Sequence, residues 1–170
     1  MKKLILVYGV ISGLVIIVIN TLSLELGIGQ AWLGFLVMFI AFSSIFVAVK
    51  QYRDETLGGV IRFGTGFLVG LGITLVASLV YVLVWELYLA VTDYAFIDAY
   101  IASIIDSRQT AGASQAELAA TIAETETFRQ QYSNPLFRLP MTFVEVFPIG
   151  VLISLISAFI LRDSKTLAAE

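Results

Sequence analysis

Residues 67–91 read FLVGLGITLVASLVYVLVWELYLAV, and Glu86 is the only residue among them charged at neutral pH. At 1.5 Å per residue a helix of this length spans roughly 37 Å, more than the ~30 Å hydrocarbon core of a bilayer. The stretch is therefore expected to cross a membrane with some tilt, carrying one carboxylate inside. Gly66, Gly70, Thr74 and Ser78 recur at every fourth position, which winds a narrow ridge of small side chains along one side of the helix and admits another backbone closely. A pore lining or a dimer seam would also use such a ridge. Because small-xxx-small patterns are common where membrane helices meet, contact within the chain is the favoured reading. Gly64 and Gly72 lie off the ridge.

The rest of the composition agrees with a membrane setting. Hydrophobic residues make up 59% of the 170 and charged residues 14%, and the mean hydropathy of +0.94 lies outside the range of an ordinary soluble domain. A net charge of −3 with no basic stripe argues against nucleic acid as a partner. With no Cys and no His, disulfides, thiol chemistry, His-containing metal sites and imidazole acid–base catalysis are excluded. No cofactor is expected, and any chemistry must use carboxylates, hydroxyls, Tyr, Lys or Arg.

Three further spans follow from the same criterion. Residues 4–24 follow Met1-Lys2-Lys3 and run too long, without a small-residue cleavage pattern, for a signal peptide. They are expected to form an uncleaved first span, with Asn20 as its strongly polar residue. A short turn, Glu25 to Gln30 with Gly27 and Gly29, leads to a second span over 31–49, opened by Trp32 at the interface level and closed by Lys50, Tyr52 and Arg53. Lys50 to Arg62 reads as a solvated connector, in which Tyr52-Arg53-Asp54-Glu55 is an interfacial anchor with local ion pairs. The third span covers 65–91. The fourth covers 140–161, with Pro140 in its first turn, Glu145 and Pro148 inside it, and Arg162-Asp163-Ser164-Lys165 closing it.

Between the third and fourth spans, residues 94–133 have the composition of a helical hairpin outside the bilayer. Phe96, Ile97, Tyr100, Ile101, Ile104 and Ile105 follow three-four spacing and mark one apolar face, expected to rest on the bundle or in the headgroup layer. Ala111-Gly112-Ala113 breaks that helix. Ser114 with Glu117 is a capping-box signature for a second helix reaching about Tyr132, and Asn134-Pro135 stops it. With no internal repeat evident, the chain reads as one multi-pass domain: an all-α bundle of four transmembrane helices with an external hairpin.

Orientation follows from the ten basic residues. Lys2, Lys3, Lys50, Arg53, Arg62, Arg162 and Lys165 fall on one side of a four-span arrangement, and Arg108, Arg129 and Arg138 on the other. The positive-inside rule then places both termini in the cytoplasm and the hairpin outside.

Four polar residues near the hairpin-side ends of the spans are candidates for a site: Glu86, Glu145, Asn20 and Arg138. Glu86 lies about five residues before the end of the third span and Glu145 about six after the start of the fourth, so both sit at roughly 8 Å depth. A charge at the centre of a span costs ~2.5 to 3.5 kcal/mol on insertion scales, less near an end, so each carboxylate is expected to face protein or water. Pro148 cannot donate to the carbonyl of Val144, which leaves that oxygen free beside Glu145. A shared cation or proton site formed by Glu86 and Glu145 is one arrangement. The plainer one pairs Glu145 with Arg138, or uses it to cap a frayed helix start, while Glu86 reaches outward. Phosphate-loop, Rossmann, zinc and nucleophile-elbow patterns are absent, and Phe63-Gly64-Thr65-Gly66 lacks the Lys of a phosphate loop.

Lys50-Gln51-Tyr52-Arg53-Asp54-Glu55, Gly58-Gly59, Phe63-Gly64, Trp85-Glu86, Asn134-Pro135-Leu136-Phe137 and Glu145-Val146-Phe147-Pro148-Ile149-Gly150, in this order and spacing, resemble the bacterial membrane proteins grouped as domain of unknown function 4199. The resemblance covers nearly the whole chain and implies a four-span protein of the bacterial inner membrane, with no activity attached. A basic residue is usual in that family where this chain has Thr65, so a role resting on that charge does not carry over. Two functions remain in view. One is a non-enzymatic structural or accessory component, with the bilayer, a membrane-protein partner or a second copy of itself as its associates. The other is a small cation- or proton-coupled carrier or channel using the intramembrane carboxylates. An enzyme ranks third, since no nucleophile–base pair supports it.

Overall fold

A computed structural model describes residues 1–27 and 31–162. Among them are six α-helices and no strand: α1 Lys2–Glu25, α2 Ala31–Gln51, α3 Phe63–Val91, α4 Ala95–Thr110, α5 Gln115–Ser133 and α6 Pro135–Leu161. A π-helical turn, Tyr52–Thr56, extends α2. Four segments are long and apolar enough to cross a membrane: Lys2–Glu25, Trp32–Thr56, Phe63–Val91 and Pro135–Leu161. The expected Gly29 and Gln30 of the first turn, and the closing Asp163 to Lys165, lie outside the described residues. Two compact units share the long helices, one formed by Met1–Val84 with Phe143–Glu170 and the other by Trp85–Thr142.

In the first unit α3 is the central helix, because its small residues let two neighbours reach its backbone. A Cβ placed on Gly70 would lie 2.7 Å from the Ser154 hydroxyl, and one placed on Gly150 would lie 2.4 Å from the Thr74 methyl. Gly66 meets Ala158 in the same way at 3.4 Å, so the ridge Gly66, Gly70, Thr74 packs against a matching small-residue row on α6. The Thr74 and Ser154 hydroxyls lie 3.2 Å apart across this seam, and each is also within donating distance of the carbonyl four residues before it in its own helix, so their two hydrogens serve two of these three contacts at a time. Ser78 continues the ridge and is fully buried, with its hydroxyl unpaired among the described residues. Gly72, off the ridge, faces Ile5 of α1, and a Cβ on Gly13 of α1 would come 2.6 Å from the Ala77 carbonyl. α1 is tied to α2 by the Ser12–Ser44 hydroxyl pair at 2.7 Å.

The connector after α2 is not simply solvated. Arg53 is fully buried: its Nε donates to Asp54 at 2.6 Å and its Nη1 to the Leu161 carbonyl at 3.5 Å. A guanidinium at the last carbonyls of α6 satisfies acceptors that have no helical donor and opposes the negative end of the helix dipole. Lys50 shares the Asp54 carboxylate at 2.8 Å. The Arg53 carbonyl in turn accepts from Gly59 at 2.9 Å, and Gly59 has φ +93°, a left-handed conformation that a side chain would strain.

In the second unit α4 and α5 form a hairpin on the adjoining ends of α3 and α6. Gly112 makes the turn at φ +79°, and Ser114 with Glu117 forms a complete capping box. The apolar face of α4 is covered partly by α5 and partly by the end of α3: Ile97 and Ile101 are buried, Tyr100 lies against Phe128, Phe96 meets Trp85 of α3, and α5 presents buried Thr121, Thr125 and Tyr132. The contribution of α5 was not legible in the sequence pattern because two of those positions are threonines, which carry little hydropathy signal. α6 begins at Pro135, with the Asn134 side chain accepting from the Leu136 N–H at 3.0 Å. Pro135 therefore takes the first-turn place expected of Pro140, since a proline at the first helical position gives up no intrahelical hydrogen bond.

Candidate functional site

The second unit contains two of the four polar candidates, Glu86 near the end of the third span and Arg138 just before the fourth. Glu86 is one turn from the end of α3, and Arg138 is in the first turn of α6. Arg138 Nε donates to one Glu86 oxygen at 2.7 Å and Nη2 to the other at 2.6 Å, a bidentate fork. The remaining nitrogen, Nη1, donates to the Tyr132 carbonyl in the last turn of α5 at 2.9 Å. The Arg138 side chain is 3% exposed and that of Glu86 25%.

Aromatic rings hold the pair in place. The Arg138 guanidinium carbon lies 5.2 Å from the Tyr94 ring centre and 5.7 Å from that of Tyr132, within cation–π range. Tyr94 reaches its position through a left-handed backbone, φ 60°, following Asp93 at φ 50°. For residues with side chains that conformation costs about 1–2 kcal/mol each, and here it is held by a hydrogen bond from the Tyr94 N–H to the Leu89 carbonyl at 2.8 Å. Trp85 donates from Nε1 to the Tyr132 hydroxyl at 2.9 Å and meets Phe96 edge-on at 4.9 Å. From Phe96 the contacts run through Tyr100 and Phe128 back to Tyr132. This closed circuit joins α3, α4 and α5 around the ion pair. Arg129 and Asp98 form a further ion pair between α5 and α4. A cavity of about 170 Å³ opens beside the pair, lined by Tyr94, Ile97, Arg129, Tyr132, Ser133 and Arg138.

Of the four polar candidates, Glu86 and Arg138 are joined. Glu145 and Asn20 belong to the other unit. Asn20 rests against Gly34 of α2, where a Cβ would lie 3.7 Å from its amide oxygen. Glu145 is exposed on α6, which runs unbroken through Pro148. The expected pairing of Arg138 with Glu145, with Glu86 reaching outward, is not formed: the carboxylate Arg138 holds is that of Glu86, because the first turn of α6 places Arg138 against the end of α3. Sequence reasoning did not single out Trp85, Tyr94 and Tyr132 as parts of the site. The adjacency of Trp85 to Glu86 was a signal, but the left-handed backbone of Tyr94 leaves no trace in composition.

Chemically the arrangement is a strut. A carboxylate whose two oxygens both accept from one guanidinium is poorly placed to hold a second cation. Among the described residues no cluster of acidic side chains could hold a metal ion. Fold and site together define an all-helical protein with four helices long and apolar enough to cross a membrane and a braced hairpin. The sequence profile described as "Protein of unknown function (DUF4199)" matches residues 7–163, and the chain belongs to that family. No curated protein and no solved structure matches it.

Proposed function

We propose that this chain is a non-enzymatic structural or accessory component of the bacterial inner membrane, spanning it four times with both termini in the cytoplasm and the α4–α5 hairpin outside. The observation that carries the reading is the Glu86–Arg138 fork. The carboxylate best placed for ion or proton work is already engaged by a buried guanidinium, which fits a part that holds shape rather than one that cycles charge. The orientation rests on the distribution of the ten basic residues. The aromatic circuit supports a pre-organised hairpin whose outer surface engages a partner.

Reporter fusions after Lys50 and after Lys165 are expected to read as cytoplasmic and one at Gly112 as external. An external signal at the C-terminal end would overturn the four-span arrangement. A stable partner copurifying through mild detergent from native membranes supports the accessory role. The second reading, a small cation- or proton-coupled carrier, is favoured by one observation: Glu145 has no hydrogen bond or ion pair among the described residues. Ion passage by the purified protein in liposomes is its test.

A further inference from the structure

α6 has two opposite faces in the first unit. Val146, Gly150, Ser154, Ser157, Ala158 and Leu161 are buried. On the other side Glu145, Pro148, Leu152, Ile156 and Phe159 are exposed, at offsets of 3, 7, 11 and 14 residues from Glu145, which keeps them on one stripe of a helix. Apolar members of such a stripe are at home in lipid. Glu145 is not. It lies about six residues inside the expected fourth span, roughly 8 Å deep, where a charged side chain still favours a partner or water. Pro148, one turn on, has no N–H for the Val144 carbonyl, and Val144 is itself exposed. The Glu145 carboxylate thus has no hydrogen bond or ion pair among the described residues, and the Val144 carbonyl just before it lacks the N–H that a residue other than proline at 148 would supply.

We propose that this face of α6 docks a membrane-spanning helix of another protein that carries a lysine or arginine at the depth of Glu145, with the cation seated on the Glu145 carboxylate and the Val144 carbonyl. The proposal rests on the accessory-component reading and names the kind of partner. Charge decides against a second copy as the occupant. Two-fold pairing through this face sets Glu145 against Glu145, while Arg138 is engaged by Glu86 and Arg53 by Asp54. Lipid tails supply no donor. A basic residue on a partner helix supplies both the charge and the hydrogen bonds.

The test uses the full chain in phosphatidylcholine vesicles, labelled through Ala111→Cys, an exposed position with an ordinary backbone and the only thiol in a chain without Cys. The probes are two synthetic leucine–alanine transmembrane peptides flanked by tryptophans, identical except for a central Lys or Leu, and energy transfer reports their association. The Lys peptide is expected to bind about tenfold tighter than the Leu peptide, the scale of one polar contact between helices in lipid. Glu145→Gln should abolish that preference. Pro148→Ala, which returns a donor to the Val144 carbonyl, should reduce it. Leu152→Trp, which leaves the carboxylate intact but crowds the face, should weaken both peptides.

Equal binding of the two peptides by the unmodified chain, or a Lys preference that survives Glu145→Gln, would overturn the proposal. So would Glu145-dependent self-association in vesicles without peptide, which would make a second copy the occupant. Proton flux is read in the same vesicles. Flux lost in Glu145→Gln would overturn the accessory reading as well, whereas equal peptide binding without flux removes only the docking site.

Discussion

Replacing Glu86 with Leu strips the carboxylate from a guanidinium whose side chain is 3% exposed. Removing one partner of a buried pair typically costs about 3–5 kcal/mol, because the remaining charge is left without compensation. Glu86 keeps a quarter of its side chain exposed, so water softens the loss and the low end, about 3 kcal/mol, is the expectation. Replacing Arg138 with Met in the same chain removes the stranded charge. What remains is mainly the loss of the hydrogen bond to the Tyr132 carbonyl, worth about 1 kcal/mol. The double variant is therefore expected to be more stable than Glu86→Leu alone. Unfolding by denaturing detergent in mixed micelles measures this. Trp85 can serve as the sole fluorophore in a Trp32→Phe background, since the chain has two tryptophans. A Glu86→Leu variant as stable as the parent, or losses that simply add in the double variant, would refute the view that the pair is a structural strut.

Three further outcomes follow from the packing and the caps. Gly150→Ala, whose new Cβ would fall 2.4 Å from the Thr74 methyl, should destabilise by about 1–3 kcal/mol; Gly64→Ala, with nothing within 4 Å, should be neutral in the same melt. Arg53→Ala should expose α6 near Leu161 to faster amide exchange, and Arg53→Lys should restore little of the protection, because a lysine cannot reproduce the fork reaching both Asp54 and the Leu161 carbonyl. The Ser114 N–H, and then its hydroxyl, hold the Glu117 carboxyl below its ordinary pKa of 4.5. A depressed folded-state pKa means the cap is complete above about 4.5 and is lost as pH falls through the lowered value. After correction for intrinsic rates, exchange in the first turn of α5 should quicken on acidification below that range, and Glu117→Gln should remove the pH step.

Much of the architecture was legible because lipid imposes simple demands. Long apolar runs separated by charges announce spans, and the four-residue spacing of Gly66, Gly70 and Thr74 announces a close approach, although not that α6 would supply the matching Gly150, Ser154 and Ala158. The capping box at Ser114 and Glu117 was readable because its two hydrogen bonds are local in sequence. The site was less legible. Counting residues inward from the span ends gave Glu86 and Glu145 similar depth, but helix rotation is not written in depth, and the partner of Glu86 is Arg138, 52 residues away. Arg53 looked like a surface anchor since its burial depends on the end of α6, more than a hundred residues further along the chain. Threonines 121 and 125 hid the part of the cover for α4 that α5 supplies for a different reason: a small polar side chain can line a buried seam when its hydroxyl bonds its own helix, as Thr125 does with the Thr121 carbonyl.

Proton flux through the purified protein in liposomes, driven by an imposed pH gradient, tests the central claim most directly. With Glu86 engaged by Arg138 and the chain acting as an accessory component, the flux should equal that of protein-free vesicles, and Glu86→Gln and Glu145→Gln should leave it unchanged. A flux well above that background, abolished by either substitution, would contradict the account and make the intramembrane carboxylates a working pathway.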